Sequence, residues 1–64
     1  MIDIEYLREE MRKNGIKSKD LAEKTGVTTS MISKILNGVK TPGLSLAIGL
    51  IKSLDLDANK FLEI

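Results

Sequence analysis

The chain has no cysteine, no histidine and no tryptophan, and only one proline, one tyrosine and one phenylalanine. Without cysteine it can build neither a disulfide framework nor a thiolate zinc site. Without histidine it lacks the commonest general base and metal ligand. Together these absences argue against an enzyme and against a cofactor or metal, and no small-molecule ligand is expected. Glu9 and Glu10 could pass for a carboxylate pair, but adjacent helix residues point different ways, so they read as surface charge. Long apolar runs are also missing. Nothing approaches the ~18 consecutive apolar residues needed to cross a bilayer, and no charged-then-apolar leader opens the chain. The expectation is a cytoplasmic protein with no membrane partner.

What is present fits one small soluble domain, 1–64, of which 42% is hydrophobic and 30% charged. A chain this short buries only about 60% of its unfolded surface, so nearly every apolar residue is needed in the core. The net charge is +1, but it is unevenly distributed. Residues 11–41 carry Arg12, Lys13, Lys17, Lys19, Lys24, Lys34 and Lys40 against Asp20 and Glu23, a local balance of +5. The remainder carries Arg8, Lys52 and Lys60 against seven acidic residues, a balance of −4. Such polarity can present one electropositive face on a nearly neutral molecule; solvation of helix surfaces is the alternative explanation.

Punctuation along the chain predicts five helices and no strand, an all-α fold. The first spans about Ile4 to Asn14, capped by Asp3, with Ile4, Leu7 and Met11 facing inward and Asn14-Gly15 stopping it. Tyr6 is expected to be partly buried on it. The second runs from about Lys19 to Thr25, with Ser18 as its cap and Gly26 as its stop. The third runs from Thr29 to Leu36, capped by Thr28 and ended by Asn37-Gly38. Pro42 bars its continuation. A fourth, Leu44 to Leu54, is apolar almost all round, which predicts a central core helix with a strip left over for a partner. Gly49 within it has no evident reason. Asp57 can cap a last short helix carrying Phe61 and Leu62.

Residues 18–37 form the most informative constellation. A short helix, a turn on Gly26, and a helix with one polar and one apolar side describe a helix-turn-helix unit. Ala22 is small enough for the two helices to cross closely, and Val27 and Ile32 fill the angle between them. The polar side of the third helix can then stand clear of the body.

On these residues the chain resembles the phage-repressor and Cro-like family, also called the xenobiotic-response-element family. The resemblance covers Leu7 to Leu62, through GIKSKDLAEKTGV (15–27), TTSMISKILNG (28–38), TPGLSLAIGLIKSL (41–54) and DLDANKFL (55–62). It implies a compact five-helix, lambda-repressor-like domain that binds a double-stranded DNA operator as a transcriptional repressor or regulator of a phage, plasmid or mobile element. It also assigns candidate roles. Thr28, Thr29, Ser30, Ser33 and Lys34 match positions that read base edges, and Ser18, Lys19, Asn37, Lys40 and Thr41 match positions that hold phosphates. Hydroxyls serve several bases, and Lys34 suits the O6 and N7 acceptors of guanine.

Three departures stand out. Short hydroxyls replace the glutamines or arginine common in the family's second and third helices. Met11 and Leu36 stand where many members pair an arginine with a glutamate, a coupled exchange that is often neutral or stabilising. Asp55 occupies a frequent glycine position. A domain this small is expected to work as a weak homodimer, one that can form on DNA, through Leu46, Leu54 and Leu56. The second reading is a protein-interaction module on the same fold: an antitoxin, antirepressor or bridging factor.

Overall fold

A computed structural model of the chain describes residues 2–63; Met1 and Ile64, the two ends of the expected domain, lie outside the described residues. Five helices follow one another: α1 (Ile4–Asn14), α2 (Ser18–Thr25), α3 (Thr29–Leu36), α4 (Leu44–Leu54) and α5 (Ala58–Leu62). No strand occurs among the described residues, and the fold is all-α as expected.

Local chemistry sets the helix ends. The Asp3 carboxylate accepts the Tyr6 N–H at 3.0 Å, the Thr28 hydroxyl accepts the Met31 N–H at 3.1 Å, and the Asp57 carboxylate accepts the Asn59 N–H at 3.0 Å. Each satisfies a backbone donor that the first turn leaves without a partner. Ser18 is a correction. The helix begins one residue earlier than expected, with Lys17 at the cap position, because the Asp20 carboxylate accepts the Lys17 N–H at 3.1 Å. Ser18 is thereby the first helical residue, and its hydroxyl takes no part in the cap.

Gly38 closes α3 with φ +73°, and the chain then turns back over the helix end. The Gly38 N–H donates to the Ile35 carbonyl at 3.1 Å, and the Val39 N–H to the Lys34 carbonyl at 2.9 Å. This double closure needs a left-handed residue at its centre, where glycine has no Cβ to strain. Asp55 ends α4 in the same backbone region, at φ 53°, as its replacement of a family glycine implied.

The core is built from Leu7 and Met11 of α1, Leu21 and Ala22 of α2, Ile32 and Ile35 of α3, Ala47, Leu50 and Leu54 of α4, then Leu56 and Phe61. Helix α2 packs against α3 and α4, and α1 braces α3, α4 and α5. Met11 is buried and Leu36 half-buried against this cluster, so packed hydrocarbon stands where a buried ion pair would otherwise be. Tyr6 is half-buried, and its hydroxyl accepts the Asp57 N–H at 2.8 Å, tying α1 to the start of α5.

Two of the three expected partner-facing leucines are corrected here. Leu54 and Leu56 are only 7% and 6% exposed, because both complete the domain's own core. Leu46 is half-buried against the same cluster. The apolar surface left over on α4 is instead Leu44, 74% exposed, and Ile48, 43% exposed. These two lie one turn apart on the same side of the helix.

Gly49 faces Thr25 across the contact of α2 with α4. A Cβ added there would meet the Thr25 Cγ2 at 3.6 Å, ordinary van der Waals contact. Gly49→Ala should therefore gain helix propensity without a clash, raising stability by about 0.5–1 kcal/mol. In a domain of this size that is a rise in melting temperature of about 2–8 °C, read by circular dichroism. An unchanged or lowered midpoint would show that close approach of α2 requires the glycine.

Candidate nucleic-acid interface

The turn between α2 and α3 fixes how α3 is presented. Gly26 takes φ +74°, and the Val27 N–H donates to the Ala22 carbonyl at 3.1 Å, turning the chain sharply. Ala22 is buried between the helices, and Ile32 and Ile35 anchor the inner side of α3 at about 1% exposure each. With that side fixed, the other side must face solvent.

The residues predicted to read bases fall on it. Thr28, Thr29, Ser30 and Lys34 are exposed, and Ser33 is half-buried. Ser30, Ser33, Lys34 and Asn37 follow one another at the three- and four-residue spacing that places them along one stripe. Thr28 does two things at once: its hydroxyl oxygen is engaged by the Met31 N–H, while its methyl is left to make apolar contacts. The Thr29, Ser30 and Ser33 side chains supply short donors and acceptors, and Lys34 adds the one long cationic arm on this side of α3.

The residues predicted to hold phosphates occupy two places. Asn37, Lys40 and Thr41 are exposed in the turn after α3, where the Lys40 N–H donates to the Lys34 carbonyl at 3.3 Å. That bond brings the backbone of Lys40 against the last turn of α3. Ser18, half-buried, and Lys19, exposed, form the first turn of α2. Their N–H groups belong to the leading turn, whose donors have no intrahelical acceptor and carry the positive end of the helix dipole.

Electrostatics trims the expected basic surface. Arg12 pairs with Glu9, and Lys13 with Glu10 at 3.1 Å, both along α1. The Arg12 guanidinium, hydrogen-bonded to Glu9, holds that carboxyl below the usual carboxylate range. Both groups are exposed, so the pair matters here for charge neutralisation more than for stability. Among the described residues, Lys17, Lys19, Lys24, Lys34 and Lys40 are exposed and form no ion pair. Within residues 11–41 the unpaired cations thus lie in or beside α2, α3 and the turn after α3; Lys52 of α4 and Lys60 of α5 are exposed and unpaired as well.

Sequence reasoning missed one residue of this region. Arg8, counted only as a charge outside the basic segment, reaches from α1 to the end of α3 and donates to the Leu36 carbonyl at 2.7 Å. The signal available was its place one turn before Met11, on the side of α1 that meets α3. Spacing alone does not tell a surface arginine from a bridging one.

A fixed bihelical corner with an outward polar stripe and flanking lysines is the arrangement of a DNA-binding module. The chain matches the helix-turn-helix family model of the Cro/C1 type over residues 4–61, nearly its whole length, and belongs to that family of DNA-binding domains. It matches no curated protein and no solved structure. No helix of the described residues is long and apolar enough to cross a membrane.

Proposed function

We propose that this domain binds double-stranded DNA sequence-specifically and acts in the cytoplasm as a transcriptional repressor or regulator of a phage, plasmid or mobile element. The observation that carries the reading is the outward stripe of α3, held clear of the body by the buried Ala22, Ile32 and Ile35. In this reading Thr28, Thr29, Ser30, Ser33 and Lys34 meet base edges in the major groove. Ser18, Lys19, Asn37, Lys40 and Thr41 meet the flanking phosphates, which fix register and supply most of the affinity.

One module of this size covers only about 600–1,000 Å² of DNA-facing surface, so useful affinity calls for two copies on one operator. Half-sites would lie about 34 Å apart, one turn of the duplex. The contact between copies is best supplied by Leu44 and Ile48, since Leu54 and Leu56 are spent on the core and Leu46 packs against it from the other side of α4. Such a small apolar contact fits a dimer that assembles on DNA.

The net charge of +1 and the short hydroxyls of α3 favour a second reading, in which the same surface docks a protein, as in an antitoxin, antirepressor or bridging factor. Selection of bound sequences from a random duplex pool, followed by titration in low and high salt, separates the two. The DNA reading expects an enriched motif with two half-sites, two protein copies per duplex, and affinity falling steeply with salt. No enrichment, together with salt-independent or undetectable binding, would leave the protein-docking reading standing.

A further inference from the structure

We propose that Arg8 is a positioning residue for the DNA contact: it seals the end of α3 and turns the Asn37 amide donors outward to a phosphate. The inference rests on the DNA reading and adds a residue from α1, a helix to which that reading assigns no base contact.

At a helix C-terminus the last carbonyls lose their intrahelical donors. In α3 most of them are satisfied within the turn: the Ser33 carbonyl accepts from Asn37, the Lys34 carbonyl from Val39 and Lys40, and the Ile35 carbonyl from Gly38. The carbonyl of Leu36 is the next in line, and Arg8 takes it with two donors, Nη2 at 2.7 Å and Nε at 3.2 Å. A guanidinium there also meets the negative end of the helix dipole. The contact bridges 28 residues of sequence and fixes the end of α3 to α1.

The same Nη2 lies 3.4 Å from the Asn37 Oδ1. Arginine has donors only, so the atom that faces it must be the amide oxygen. The Nδ2 group, with both its hydrogens, is therefore directed away from Arg8. Asn37 is exposed, and it sits at the end of the stripe that runs through Ser30, Ser33 and Lys34. An amide whose oxygen is occupied and whose donors face solvent suits an anionic oxygen, which needs donors. Without Arg8 the amide would be free to flip and present either end.

A double-mutant cycle on binding to a random-sequence duplex tests this, because a phosphate contact is independent of sequence. Arg8→Ala and Asn37→Ala should each weaken binding about 3- to 10-fold, and the double variant by little more than either single one. Arg8→Lys keeps the charge but replaces the planar fork with a single ammonium, and should also weaken binding. Binding is measured well below each variant's melting midpoint, so that loss of the helix seal does not enter. In the free protein, the Asn37 side-chain amide signals should shift in Arg8→Lys and Arg8→Ala. Losses that multiply in the double variant, or Arg8→Lys binding like the wild type, overturn the inference while leaving the DNA reading intact. A wild type that binds no duplex overturns both.

Discussion

Phe61→Ala is expected to abolish the folded state at 37 °C, despite lying in the shortest helix of the molecule. Five residues cannot hold a helix alone, since nucleation costs more than one turn of hydrogen bonds returns. Helix α5 exists because Phe61 is driven into the core, where it is fully buried. Its backbone is also a junction: the Phe61 carbonyl accepts the Asp3 N–H at 2.8 Å, just ahead of α1. Removing a buried phenylalanine costs about 3–5 kcal/mol, through lost transfer free energy and the cavity left behind. A single core of this size rarely supplies more than about 3–5 kcal/mol in total, so the deficit matches the whole stability. Urea titration at low temperature would read the loss. Leu62→Ala, half-buried beside it, serves as the contrast and should cost much less. A Phe61→Ala variant that still melts cooperatively within a few degrees of the wild type would mean that α5 is an appendage and not part of the core.

The helix caps show why the fold was legible in the sequence. Caps such as Asp3, Thr28 and Asp57 act within three residues of themselves, so their signal is local and survives without coordinates. The stripe of α3 is legible for a related reason: Ile32 and Ile35 fix one side by burial, and periodicity gives the other. Ser18 misled because two caps compete there, and a carboxylate at Asp20 accepting the Lys17 N–H wins over a serine hydroxyl. Leu54 and Leu56 misled for a different reason. A helix that is apolar all round has no side marked as outer until its neighbours are placed, and only packing shows that Leu44 and Ile48 are the ones left uncovered. Arg8 is the clearest limit, since its partners lie 28 and 29 residues away and one of them is a backbone carbonyl. Nothing in residue type or spacing encodes a bond to a carbonyl.

Lys34→Ala and Lys40→Ala should separate reading from positioning, although the two residues are joined by a backbone hydrogen bond. The bond runs from the Lys40 N–H to the Lys34 carbonyl, so truncating either side chain leaves the turn closed. Both side chains are exposed and neither enters the core, so both variants should fold with unchanged melting temperatures. Lys34 projects from α3 among Ser30, Ser33 and Asn37. Its loss should cost about 1–3 kcal/mol on the selected operator, about 5- to 150-fold in affinity, and much less on random duplex. Lys40 lies past the helix end, where the proposed docking sets a cation against phosphate and not base edges. Its loss should weaken every duplex by the same factor and reduce the slope of log affinity against log salt by about one unit. The contrast is between two lysines of equal charge in neighbouring turns, so net charge cannot produce it. If instead both variants lowered operator and random binding equally, the stripe of α3 would be acting as a charged surface only, and specificity would have to come from the hydroxyls or from the shape of the DNA.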